Sequence, residues 1–270
     1  MSARAPLRRE RFEDAAFVLR RFSYGESSLL VHLLTPGHGR ISAIAKGAYR
    51  PSSGFCGVLD LFDTLRVRWT RADARSLAVV TGARIVERRR ELTADLSRYR
   101  SALAVLELAH VAAREEHEER ALFGLVEEAL ECMARSRVGP GLAQLAFDLA
   151  FLRLAGLSPA LETCAACGRK PEGRPASVPF SALLGGRLCA SCARAARSHG
   201  RSIGSLPLNV VRVASSLMHS PPSMLEKIQL DRPLEERVRG FVERFLETHL
   251  ETQLRARRRG PRATAGKARR

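Results

Sequence analysis

The chain changes its hydrophobic period once, near residue 90, and few folds accommodate that change. Before it, short runs alternate every second residue; after it, apolar residues recur at spacings of three and four. Phe17-Val18-Leu19-Arg20 enters a first strand, Ser28 to Leu34 makes a second, and Pro36-Gly37-His38-Gly39 turns the chain into a third, Arg40 to Lys46. In a fourth strand Leu61, Leu65, Val67 and Trp69 share one parity and Thr64, Arg66 and Arg68 the other, with Asp63 interrupting its apolar face. Leu77 to Val86 is a fifth. Five short strands at this spacing predict a small closed barrel of OB type over residues 1–90. A five-stranded SH3-like barrel would leave much the same trace.

Beyond Leu92 the pattern predicts helices. Leu103, Leu106 and His110 lie in the apolar stretch Ala102 to Ala113. Leu122, Val126, Leu130 and Met133 mark a second helix. Leu142, Leu145, Ala146, Leu149 and Leu152 mark a third, bounded by Pro140 before it and by Gly156 and Pro159 after it. Two more fall near Pro207–Met218 and Leu234–Leu250. The expected class is therefore α+β: a barrel, then an all-α domain over 91–254 with a cysteine-bearing insert at about 160–200. Residues 255–270, including Arg257-Arg258-Arg259-Gly260-Pro261, have few apolar residues and read as a disordered basic tail.

Within the insert, Cys164-Ala-Ala-Cys167-Gly precedes Cys189-Ala-Ser-Cys192. Two such knuckles at this separation point to four thiolates around one zinc ion. Four protein ligands leave no open position, so the zinc is expected to be structural, stapling a segment too small to fold by burial. A redox dithiol would need a βαβ setting, and paired disulfides conflict with a reducing compartment. His199 is read as a surface histidine, and Cys56 and Cys132 as ordinary thiols.

Charge is distributed unevenly. Residues 1–90 hold 17 Lys/Arg and 8 Asp/Glu, net +9; residues 91–250 hold 20 and 19, net +1; residues 251–270 hold 8 and 1, net +7. A polyanion at the front of the molecule accounts for this, because nucleic-acid affinity comes largely from Lys/Arg–phosphate contacts. The candidate DNA-binding residues are Arg20, Arg21, Arg40, Lys46, Arg50, Arg66 and Arg68, with Tyr24 and Tyr49 as stacking platforms and Phe55 as either platform or barrel plug. Aromatics make up only 6% of the chain and Trp69 lies on the inward parity. Such a grip would hold phosphates and leave base edges free to pair, which suits strand annealing.

No run approaches the roughly 18–20 apolar residues of a membrane span. Met1 to Asp14 lacks the apolar stretch of a signal peptide, so a cytoplasmic, nucleoid-associated protein is expected. The acids of the barrel, Glu26, Asp60, Asp63 and Asp73, are too scattered to hold magnesium, and no phosphate-cradling glycine loop appears. No catalytic residue is assigned and no enzyme is expected. An RNA-binding or transcription-associated zinc protein is the competing reading.

Leu19-Arg20-Arg21-Phe22-Ser23-Tyr24-Gly25-Glu26-Ser27, Thr35 to Arg40, Lys46-Gly47-Ala48-Tyr49-Arg50, the paired cysteines and His249-Leu250-Glu251 together resemble the bacterial RecO family of recombination mediators. The resemblance implies an OB-fold followed by a helical zinc domain. It also implies binding and annealing of single-stranded DNA, with duplex DNA left open. Its further implication is loading of RecA, together with RecR, onto strands coated with single-strand binding protein. The basic tail has no counterpart in that pattern.

Overall fold

A computed structural model of the chain describes residues 10–73, 76–171, 173, 175–220, 222–250 and 254–257. Five strands, β1 (Glu10–Tyr24), β2 (Ser28–Thr35), β3 (Gly39–Ala45), β4 (Thr64–Arg71) and β5 (Ala78–Glu87), close in the order β1-β2-β3-β5-β4. A parallel pairing of Ala43 and Ile44 with Ala78 and Val79 inserts β5 between β3 and β4, the Greek-key closure of an OB barrel. A rung followed from Phe22 through Leu30, Ile44, Val79 and Thr70 returns to β1 at Arg11, eleven residues from its start. That stagger is the shear that tilts the strands and closes the ring.

β1 is longer than the Phe17–Arg20 core visible in the sequence. Its first half, Glu10 to Ala16, pairs with β4, and its second half, from Phe17, pairs with β2. The charged residues Glu10, Arg11, Glu13 and Asp14 hide this half from a hydrophobicity pattern, because the pairing is set by the ladder and not by burial. The fourth strand starts later than its apolar parity implies. Phe62 takes a positive φ of 75°, and Asp63 leaves the ladder to accept a hydrogen bond from the Arg89 backbone N–H at 2.9 Å.

The barrel interior is filled from alternate positions, among them Val18, Val31, Ile41, Leu65, Val67 and Trp69. Trp69 stacks on Phe12 at 5.4 Å and is shut away from solvent. The opposite parity of β1 is also buried: Phe17 and Leu19 join Leu34 and Phe62 in a second core shared with the helices. Barrel and helices are therefore welded along one apolar seam, with Phe17 against Phe123 at 4.8 Å. Arg89 reinforces the seam, donating to the Phe62 carbonyl, the Thr64 hydroxyl and the Glu131 carboxylate.

The helical part comprises α1 (Glu91–Ala94), α2 (Leu96–Ala112), α3 (Arg120–Arg135), α4 (Pro140–Leu154), α5 (Ala190–Ser198), α6 (Leu208–His219), α7 (Pro222–Leu225) and α8 (Arg232–Leu250). Asp95 caps α2, accepting from the Arg98 N–H at 2.8 Å, and Pro140 occupies the first turn of α4, where its missing N–H costs nothing. Between α4 and α6 the insert adds β6 (Ser177–Ser181), β7 (Gly186–Arg187) and β8 (Gly204–Pro207) in the order β7-β6-β8, with α5 beside them.

The described start of the tail departs from the expected disorder. Arg255–Arg257 forms a single 3-10 turn after buried Leu254, and the Arg257 guanidinium enters the helical core to meet Asp148 and the Ala104 carbonyl. The remainder of the proposed tail, 258–270, lies outside the described residues, as do residues 1–9.

Candidate nucleic-acid interface and metal centre

The turn between β1 and β2 and the long loop after β3 meet at one end of the barrel. Tyr49 donates its backbone N–H to the Ser27 carbonyl at 2.9 Å, and its hydroxyl lies 3.3 Å from the Ser23 Oγ. This tie brings Tyr24, Lys46, Tyr49 and Arg50 together on an exposed rim; the two tyrosines are 57% and 53% exposed. Arg20 stands exposed on the outer wall of β1, and Arg21 bridges to Asp60 at 3.3 Å. Phe55 turns inward and packs on the barrel core, so it is the plug. Phe22, 46% exposed beside this rim and edge-on to His32, is an aromatic that the pattern of an apolar strand concealed.

The nine expected DNA-contact residues do not form one groove. Arg40 is committed to the helical part: one guanidinium nitrogen donates to the His110 carbonyl at 2.8 Å and another meets Glu115 at 3.1 Å. Its backbone N–H is held by the Arg114 carbonyl. Arg66 and Arg68 sit on β4, which pairs with β5 and with the first half of β1, whereas Arg20 lies on the second half of β1 beside β2 and Lys46 follows β3, so the two pairs of cations are set apart on the barrel. The outer β2–β3 face that OB barrels commonly offer to oligonucleotides is thus partly covered here by the end of α2 and the 113–119 loop.

At that junction His32 and His110 stack, with Nδ1 and Nε2 only 2.7 Å apart, so the two rings share a hydrogen bond and at least one must be neutral. Burial, reinforced by Arg20, His32 and Arg40, pushes His110 down to about 4. Burial and the same two arginines also lower His32.

The four cysteines of the insert converge with their sulfurs all within 4.8 Å of one another. In the first knuckle the Gly168 N–H closes on the Cys164 carbonyl, and Gly168 takes φ +71°, a conformation that a side chain would oppose. In the second, Cys189 caps α5 and accepts from the Cys192 N–H, so the helix N-terminus faces the sulfurs. Hydrogen bonds from the Ser191 hydroxyl and the Cys192 N–H draw Cys189 down to about 6, whereas Cys192, hydrogen-bonded to Cys189 and Cys167, is pushed up to about 12. Four thiolates cannot coexist so close without a cation. A tetrahedral ion with metal–sulfur bonds of about 2.3 Å needs sulfurs roughly 3.8 Å apart; Cys167 and Cys189 stand at 4.0 Å. The donor set fits a thiophilic dication. His199 is not part of it: its Nδ1 folds back on the Ala195 carbonyl at 2.7 Å.

Barrel and helices both match known families. Residues 9–89 match the model described as Recombination protein O N terminal, and residues 93–258 the model described as Recombination protein O C terminal. The chain belongs to the RecO family. A protein of Myxococcus xanthus named DNA repair protein RecO is 36% identical over 70% of this chain and 75% of its own length. One from Rhodopirellula baltica, with the same name, is 33% identical over 78% and 77%. A third, from Moorella thermoacetica, is 32% identical over 67% and 66%. RecO relatives are thus named for DNA repair. Among the described residues of this RecO chain, no helix is long and apolar enough to cross a membrane.

Proposed function

We propose that this chain binds single-stranded DNA at the loop end of its barrel, anneals complementary strands and, together with RecR, helps load RecA onto strands coated with single-strand binding protein. The observation that carries the reading is the exposed rim of Lys46, Arg50, Tyr24 and Tyr49, held by the Tyr49–Ser27 and Tyr49–Ser23 contacts. Cations at the rim attract phosphates, and the tyrosines can stack on base faces without engaging base edges, so a held strand keeps its pairing edges available. Membership of a family whose relatives are named for DNA repair supports the same direction.

The protein acts in this reading by binding, without a catalytic centre. Two of the barrel acids already have structural roles: Asp60 pairs with Arg21, and Asp63 serves Arg88 and the Arg89 backbone. We further infer that the four-cysteine centre holds one zinc ion through Cys164, Cys167, Cys189 and Cys192. Its role is to hold the insert folded, with no part in DNA chemistry.

The test is annealing of complementary oligonucleotides, bare and coated with single-strand binding protein, by the wild type and by Lys46→Glu/Arg50→Glu. The wild type should accelerate both reactions, and the variant should lose at least tenfold while its thermal unfolding stays unchanged. Equal rates for the two proteins would overturn the rim as the site. Tighter binding of RNA than of DNA of the same sequence would favour an RNA-binding function instead.

A further inference from the structure

Cations of the barrel divide into those with carboxylate partners and those without. Arg21, Arg40, Arg71, Arg88 and Arg89 each pair with an acid. Among the described residues no ion pair engages Arg11, Arg66, Arg68 or Arg84, and all four project from the outer wall of β1, β4 and β5. Arg66 and Arg84 are direct cross-strand partners. Like charges opposite one another destabilise a sheet, and an external anion bound between them would relieve that cost. Arg68 lies across the adjacent strand: a Cβ placed on Gly82 would stand 2.9 Å from its guanidinium, so the glycine leaves the space that the arginine occupies. Glu13, opposite Arg68 in the ladder, forms no ion pair with it. Beside Arg68 a shallow depression of about 520 Å³ is edged by Arg11, by the carboxylate Glu13, and by Thr70 and Thr81, whose hydroxyls add donors to the two cations.

We propose that this wall is a second phosphate track, which holds the backbone of a second single strand of DNA while the first occupies the loop end. The occupant follows from charge and shape. The wall is long and open, and at about 3.3 Å per residue the Arg66 and Arg11 levels lie about 13 Å apart, enough to follow a chain of phosphates and more than a single small anion needs. The track lies apart from the rim: it takes the first half of β1, which pairs with β4, whereas the rim takes the far end of β1, which pairs with β2, and the loop after β3. Two strands carried by one protein meet at the high effective concentration of a tethered pair, which accelerates pairing without any contact to a base. The inference rests on the rim reading of single-strand binding and adds to it a separate surface.

The experiment uses the full chain, two non-complementary oligonucleotides with donor and acceptor dyes, and light scattering to establish one protein per complex. The variants are Arg68→Glu/Arg84→Glu, both at exposed positions, and Lys46→Glu/Arg50→Glu. The wild type should show energy transfer between strands held on one chain. Arg68→Glu/Arg84→Glu should bind the first strand within twofold of wild type, lose the energy transfer, and anneal complementary strands at least tenfold more slowly. Unchanged energy transfer and annealing in that variant would overturn the second track and leave the rim standing. Energy transfer seen only in complexes of two or more proteins would overturn it as well. Failure of the wild type to bind any strand would remove both proposals together.

Discussion

The side chains of Asp148 and Arg257 are 1% and 3% exposed and are joined by two hydrogen bonds across 109 residues of sequence. Burial pushes the Asp148 carboxyl above its ordinary range even with Arg257 beside it. Removing one partner strands a buried charge, so Arg257→Ala should lower stability by about 3–5 kcal/mol, whereas Asp148→Leu/Arg257→Met should recover most of that loss. Urea denaturation of the three proteins checks this. A chain ending after Leu254 should behave like Arg257→Ala, and one ending after Arg257 like the full chain. None of this was legible locally: Arg257 stands in a run of arginines, and its partner lies inside an apolar helix. Gly39 makes a comparable demand at the turn before β3. A Cβ there would stand 2.2 Å from the Arg114 carbonyl oxygen and 2.6 Å from that of His117, at φ +62°. Gly39→Ala should therefore cost at least about 2 kcal/mol and speed hydrogen exchange in the 113–119 loop.

Two elements depend on polar or metal contacts more than on a large core of their own. The first is the junction of β2, β3 and the end of α2, where neutral His110 faces His32, Arg20 and Arg40, and Glu115 acts on His32. Its folded pKa, about 4, lies below the ordinary 6.5, so the unfolded chain binds the extra proton. The contribution is complete above pH 6.5 and is lost as pH falls toward 4. Urea midpoints measured from pH 7.5 to 4.5 should fall in the wild type and fall less in His110→Gln. The second is the cysteine insert: Leu161 and Val178 pack into the helical core, and the cluster of its own is little more than Cys164, Leu188 and Ala193. Metal analysis should find one zinc per chain. Chelation should open residues 160–200 to protease while leaving the barrel protected; an insert equally resistant without metal would show that it needs no staple. The knuckles could be read in the sequence because ligand spacing is local. The covering of the β2–β3 face could not, since the residues that occupy Arg40 lie 70 and 75 positions away.

At the scale of the molecule, the alternation of Val31, Leu33, Ile41, Leu65, Val67 and Trp69 was enough to reveal the barrel, because each of these side chains fills its interior. The same alternation could not say where outward arginines point once the sheet closes. Arg66 and Lys46 both read as exposed strand-face cations, yet ring order sends them to different sides. One apolar core shared by Phe17, Leu34 and the helices keeps the barrel in a fixed relation to its scaffold, so a strand held at the rim has a defined position on the molecule. Everything functional then depends on whether the rim grips phosphates. The most direct measurement is the affinity of the wild type and of Lys46→Glu/Arg50→Glu for a fluorescent single strand across a salt series. A phosphate grip should give a steep, linear fall of log affinity with log salt, and loss of two contacts should flatten the slope by about 1.4. Affinity that scarcely responds to salt, or equal slopes for the two proteins, would contradict it.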